Sequence, residues 1–222
     1  MHRYNVGETQ EKRRQTIKNI LVVISIILTL IINVILQALV GCLQSVDGLK
    51  SLIGWLVKLG VLGSISFAGV YALLFLLVDR YLWATVLSHF LNIPDVRGTW
   101  TGDLVSNYDN TKKVDMTLKI EQTMTRISCN ARFKDSSSTS EMAKVDWYND
   151  AEKKLTFTYC NNSRDVNVTQ KEYHGYNWFL IRDASMNGWY FTDRTFGDGK
   201  TTNGTMELTK QAESNAHSSA EA

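Results

Sequence analysis

The chain has 222 residues, of which 44% are hydrophobic and 21% charged, with 24 Lys and Arg against 22 Asp and Glu. That balance excludes a mainly disordered protein and allows a buried core. Three cysteines without a C-x-x-C pair exclude a disulfide framework and offer no spaced zinc motif, so no cofactor and no metal is expected.

From Lys18 to Asp47 no residue between them is charged, and Ile20 to Val40 is almost wholly apolar. As a helix such a stretch covers about 30 Å, the thickness of a bilayer's hydrocarbon core. A second uncharged stretch, Leu59 to Val78, is also long enough to cross. The expectation is therefore an N-terminal hairpin of two transmembrane helices, about 20–40 and 59–78 within residues 19–79, behind a basic leader at 1–18. Arg3, Lys12, Arg13, Arg14 and Lys18 precede the first span, whereas the connector carries only Lys50 and Lys58. The positive-inside rule then places the N-terminus, and after two crossings the C-terminus, in the cytoplasm. Arg80, Tyr81 and Trp83 open a juxtamembrane linker at 80–96 and suit an interfacial anchor. A rival is a lipoprotein signal, because Leu39 to Cys42 spells a lipobox-like LVGC, but the apolar run is too long for a signal peptide.

Within the spans, Asn33 and Gln37 share one helix face at four-residue spacing, and Gly60, Ser64, Ala68 and Ala72 form a small-residue face. Asn33, Gln37, Gly60 and Ser64 are the candidate residues for membrane oligomerisation; packing of the hairpin on itself is the competing role.

After Pro94, the only proline, the periodicity changes to two. Val114, Met116, Leu118 and Ile120 alternate with polar residues, as do Ile127 to Phe133, Ala143 to Trp147 and Leu155 to Tyr159. Adding Gly98–Val105, Tyr176–Arg182, Gly188–Arg194 and Thr205–Thr209 yields eight short strands. Turn residues separate them at Asn107–Thr111, Asp135–Thr139, Asn149–Glu152, Asn161–Asp165 and Gly197–Gly199. The predicted fold is a membrane-anchored all-β protein: the two-helix hairpin, then a small eight-stranded antiparallel β-barrel over 97–210 and a disordered tail at 211–222. A sandwich is the alternative.

An eight-stranded barrel is either filled by side chains or holds one small ligand. Alternation places Trp100, Trp147, Tyr159, Trp178 and Tyr190 inward, with Gly98, Gly102 and Gly188 removing bulk. Between Arg97 and Lys210 there are 16 Lys and Arg and 15 Asp and Glu, so no basic stripe is available to track polymeric nucleic acid. Tyr190, Thr192 and Arg194 share one face, and a guanidinium there can grip a phosphate bidentately or stack over Trp100 as a structural cap. The candidate ligand-binding residues are Trp100, Trp147, Tyr159, Tyr190, Thr192 and Arg194. No catalytic motif occurs and His2, His89, His174 and His217 lie far apart, so no catalytic residue is assigned and an enzyme is not expected.

The Pro94-Asp95-Val96-Arg97-Gly98-Thr99-Trp100-Thr101-Gly102 stretch, Gly188 to Arg194, and Gly204 to Leu208, placed behind two apolar segments, resemble one family. It is that of the two-transmembrane, β-strand-rich effectors of bacterial CBASS anti-phage systems, the CD-NTase-associated membrane effectors. The resemblance implies a cytoplasmic barrel at the inner membrane that senses a cyclic di- or oligonucleotide. It also implies that the ligand drives homo-oligomerisation of the membrane helices, disrupting the phospholipid bilayer and causing abortive infection. The alternatives from the residues are a membrane-tethered, lipocalin-like carrier of an apolar molecule and a structural envelope protein with a filled barrel.

Overall fold

The computed structural model describes residues 1–44, 66–107, 109–164, 170–195 and 201–212. They form two units, one of Met1–Glu11 together with the chain from Asn92 onward, the other of Lys12–Leu91.

In the second unit, helix α1 (Glu8–Gln44, its first residues belonging to the other unit) contains the one described helix long and apolar enough to cross a membrane, over Glu8–Leu39. Only 11% of its most apolar stretch is buried, unlike the core helix of a soluble protein. Its few polar groups are satisfied by their own helix: Ser25 Oγ donates to Leu21 O (2.6 Å), Thr29 Oγ1 to Ser25 O (2.7 Å) and Asn33 Nδ2 to Thr29 O (2.8 Å). Asn33 therefore belongs to a four-residue-spaced polar line that begins at Ser25 and reaches Gln37, which is exposed. Of the expected second span, the described part is helix α2 (Phe67–Leu77), capped by Ser66 Oγ on Gly69 N, with no buried residue. Gly60 and Ser64 lie outside the described residues, so the two-helix hairpin is not shown: the described residues hold one helix of membrane-spanning length and the 11-residue apolar helix α2. A π-helical turn (Val78–Leu82) and helix α3 (Ser88–Leu91) follow. The stop comes at Asn92 (φ 50°), a left-handed conformation that Asn tolerates, two residues before Pro94.

The first unit is a closed barrel. Strands β2 (Gly98–Ser106), β3 (Asp109–Gln122), β4 (Arg126–Arg132), β5 (Ser136–Trp147), β6 (Lys153–Ser163), β7 (Glu172–Arg182), β8 (Ser185–Thr195) and β9 (Thr201–Lys210) pair antiparallel with their sequence neighbours. The β2–β9 and β4–β5 pairings complete the ring, the up-and-down topology that short hairpin turns favour. Several expected turns are strand instead: β5 starts at Ser136, β6 continues to Ser163 and β3 starts at Asp109. Asn and Asp have low strand propensity, but here the barrel's hydrogen bonds override it.

One seam is weak. β4 and β5 share only the Asn130–Thr139, Ala131–Ser138 and Arg132–Ser137 rungs before a bulge between Ser140 and Met142 turns β5 away. The N-terminus fills the gap. Strand β1 (His2–Arg3) pairs with β4 opposite Ile127 and Arg126, and Asn5 bridges to β5 through Asn5 N–Ala143 O (3.0 Å) and Val145 N–Asn5 O (2.9 Å). At the bulge, Ser140 Oγ accepts from Cys129 N (2.9 Å) and bonds His2 Nε2 (2.8 Å), replacing the lost backbone partner. Tyr4 is buried beneath; its hydroxyl donates towards Thr123 O (3.1 Å) and Met124 O (3.3 Å) and accepts from Gln122 Nε2 (2.9 Å). Gln122, itself buried, also donates to Pro94 O (3.1 Å) and accepts from Val96 N (3.0 Å). One carboxamide thus ties the N-terminus, the chain leading into β2, and β3 together.

That end of the barrel is solid. Trp100, Leu118, Met124, Ile127, Leu155, Phe157, Phe179, Ile181 and Met186 are each no more than 2% exposed. Beside it, Asp95 is held below the ordinary carboxylate range: burial opposes this, but Arg97 outweighs it through a 2.6 Å ion pair.

If the N-terminal segment closes the seam, Tyr4→Ala should destabilise the full chain by about 3–5 kcal/mol. Tyr4→Phe, losing only the hydroxyl, should cost about 1 kcal/mol. Denaturant titration in detergent, followed by tryptophan fluorescence, reads both; an unchanged midpoint for Tyr4→Ala would show the seam to be self-sufficient.

Candidate functional site

The other end of the barrel is hollow. A cavity of about 680 Å³ opens between the ends of β2 to β9 remote from Asn92–Gly98. Its size suits one small organic ligand. Inward positions on these strands are small or polar: Ser136 and Ser138 on β5, Asn161 on β6, Gly175 on β7, Thr192 on β8, Thr202 and Gly204 on β9. Glycine is required at two of them for space. A Cβ on Gly175 would overlap the Tyr159 ring, and one on Gly204 would crowd Tyr190 Cε1 at 2.8 Å.

Tyr159, Tyr173 and Tyr190 form the aromatic wall. Each phenol has a polar neighbour that favours its charged form: Thr192 beside Tyr159, Ser136 and Arg194 beside Tyr173, and Ser106 beside Tyr190. Burial raises the pKa of all three. For Tyr159 the neighbouring Tyr173, Tyr190 and Asp193 add to it, while for Tyr173 the Arg194 cation opposes it. They are neutral donors at physiological pH.

Cations gather at the mouth. Arg194 lies with its guanidinium carbon 5.3 Å from the Tyr173 ring centroid, and Lys113 and Lys134 line the same opening, opposed by Asp115 and Asp135. Arg194 is positioned by strand alternation after Tyr190 and Thr192 and by its backbone N–H donating to Thr192 Oγ1 (3.1 Å). Deeper in, the lining is Met116, Ala131 and Met206, with Asn177 the polar exception.

Of the sequence-derived candidates, the structure brings Tyr159, Tyr190, Thr192 and Arg194 to one cavity. It does not bring Trp100 or Trp147 there. Trp100 fills the solid end, its indole N–H on Val96 O (3.4 Å) and its face under Lys210 Nζ at 5.7 Å. Lys210, not Arg194, is the cation over that ring. Trp147, at the end of β5, donates to Asn92 O (2.9 Å). Trp178 is on the outer face, 6.1 Å from Trp189, with Lys154 over it, which reverses the expected alternation of β7. Both faces of that strand are apolar enough to be core, so periodicity could not choose. Nor are Gly98, Gly102 and Gly188 cavity gaps. Gly98 (φ +135°) turns the chain into β2, a Cβ on Gly102 would strike the backbone of Glu207, and one on Gly188 would meet Phe179.

Tyr173, Asn161 and Asn177 were invisible to sequence patterning, the first two because they sat in presumed loop. Register also places ligand atoms of Cys160, Glu172 and His174 within 4.8 Å of one another on the exposed face of β6 and β7, a cluster that no linear spacing announces. The Cys160 thiol pKa is raised by partial burial and by Glu172 and Glu141.

Residues 91–210 match the family described as Cap15, cyclic dinucleotide receptor domain. Two relatives are each called CD-NTase-associated protein 15. That of Yersinia aleksiciae is 28% identical over 158 residues, covering 69% of this chain and 74% of the relative. That of Escherichia albertii is 26% identical over 159 residues, covering 68% and 82%. The barrel, its hollow end and a family match spanning more than half of the sequence converge: the chain belongs to the Cap15 family of CBASS effectors, with residues 91–210 as its cyclic dinucleotide receptor domain.

Proposed function

We propose that the hollow end of the barrel binds a cyclic dinucleotide and that the chain is an anti-phage effector which converts this binding into damage to the inner membrane. The observation that carries the reading is the cavity itself. It combines ring faces for bases with hydroxyls for ribose and places Arg194 at its mouth, where a guanidinium can pair with phosphate. A carrier of apolar molecules would have little use for a charged mouth holding Arg194, and a structural barrel little use for a cavity of this size.

Topology supports the cytoplasmic placement. His2 to Asn5, before α1, and strands β4 and β5, after the membrane segments, belong to one hydrogen-bonded unit. Two pieces of chain paired in one sheet occupy one side of a bilayer, so if α1 crosses, the chain must cross back, and the stretch ending in α2 is the available return. Cleavage at Cys42 would remove β1 and Tyr4 from the barrel, which argues against a lipoprotein signal. The basic leader then puts both termini in the cytoplasm, where a nucleotide messenger is made.

The same seam offers a route for the signal. Ser136 and Ser138 line the cavity, and Ser138 forms one of the three β4–β5 rungs above the bulge where Ser140 holds His2. Ligand that changes the packing of this seam changes the anchorage of the segment leading into α1. Membrane helices then associate through their polar line, with Asn33 and Gln37, and for the undescribed part Gly60 and Ser64, as the contact residues. The ligand must bind the assembled form more tightly than the resting one, because equal affinity shifts no equilibrium.

Arg194→Ala should leave the thermal midpoint of the full chain unchanged and weaken cyclic dinucleotide binding by about 30-fold or more; calorimetry in detergent reads this, and undiminished affinity would remove Arg194 from the site. Because the three phenols stay protonated, affinity should be flat from about pH 6 to 9. A fall centred within that window would mean that one of them ionises. In inverted membrane vesicles, single cysteines at positions 2 and 217 should both react with an impermeant maleimide and one at position 47 should not; the opposite pattern would place the barrel outside the cell.

A further inference from the structure

We infer that Asn177 reads the hydrogen-bonding edge of a nucleobase inserted head-first into the barrel. The inference rests on the receptor reading above and adds to it the orientation of the ligand and the residue that discriminates between bases.

Depth in the barrel follows from register. On β7 and β8, Gly175 is opposite Thr192 and Asn177 opposite Tyr190, while on β6 Phe157 is opposite Asn177. Tyr173 and Arg194 therefore lie nearer the mouth, and the next inward residues below Asn177, Phe179 and Ile181, belong to the solid core. Asn177 is the last polar side chain before that core. It is 4% exposed, lines the cavity, and has no side-chain hydrogen bond among the described residues. Unlike Asn161 Oδ1, which is sealed off without a partner, the Asn177 carboxamide reaches the open cavity, where an incoming ligand can bond it.

The chemistry of the two levels separates the ligand's parts. Cations occur at the mouth, in Arg194, Lys113 and Lys134, whereas the lining around Asn177 is Met116, Met206 and the Tyr190 ring. A phosphate at the bottom would be desolvated without a counter-charge, so phosphates stay at the rim and a base goes down. There the carboxamide presents an acceptor and two donors in one plane, matching the adjacent donor and acceptor that a base edge offers.

The test uses the full chain in detergent and a panel of 3′,5′-linked cyclic dinucleotides carrying adenine, guanine, uracil and cytosine. Asn177→Leu should keep or raise the thermal midpoint, since no protein hydrogen bond is lost. It should weaken the best ligand by about 10- to 100-fold and flatten the differences between bases. Arg194→Ala should instead weaken all members by a similar factor and preserve their order. If Asn177→Leu unfolds, Asn177→Ser, polar but too short to reach, should give the same flattening. Unchanged affinities, or a uniform loss that keeps the order of preference, would overturn the role of Asn177 while leaving the receptor reading in place. Failure of the unaltered protein to bind any member would overturn the receptor reading, and this inference with it.

Discussion

Closure of the barrel at the β4–β5 seam is the constraint on which the rest depends. A sheet of eight strands has two edges unless its first and last members meet, and an unpaired edge exposes a row of donors and acceptors. Here three rungs make the closure, and the remaining gap is filled by residues from the other end of the sequence, His2 to Asn5. The cross-strand pair Arg3–Arg126 sets like charges opposite one another, an arrangement that weakens pairing. What holds the insert is therefore Tyr4 and Gln122 beneath it and the Ser140 hydroxyl at the bulge, not the two-residue strand alone.

The barrel is divided by side-chain volume. Towards Asn92–Gly98 the inward positions carry Trp, Phe, Leu, Ile and Met, which interdigitate and exclude space. Towards the mouth the same strands carry Ser, Thr, Gly and Asn, which cannot fill a ring of eight strands. The hollow is thus a direct product of the residue sizes along alternate positions. Its floor is where Phe157 and Phe179 meet at a centroid distance of 6.1 Å. Packing resides in one half of the barrel and the cavity in the other, so the hollow half can carry polar groups that would destabilise a packed core.

This arrangement also makes the ends of the molecule interdependent. The segment that seals the barrel runs, after two residues, into the helix long enough to cross a bilayer. A receptor built from the C-terminal part of the chain would lack this insert. The ring's closure and the long apolar helix are therefore covalently continuous.

Composition and period carried much of this on their own. An uncharged run of membrane length, the change to a period of two after Pro94, and eight alternating segments suffice for an apolar N-terminal helix followed by an up-and-down barrel, because burial on one side of a strand demands alternation locally. Tyr159, Tyr190, Thr192 and Arg194 were likewise legible, since a single strand's parity relates the last three. Where both faces of a strand are apolar, as around Trp178, alternation has no preferred phase, and only packing chose Asn177 for the inside. Trp100 is inside the barrel as its parity implied, but depth along the axis depends on register between strands, which no single segment encodes, so it fills the solid end and not the cavity. Most of all, the pairing of His2 to Asn5 with β4 and β5 joins residues more than a hundred positions apart; the long-range geometry of closure decided it, and nothing local in the leader foretold it.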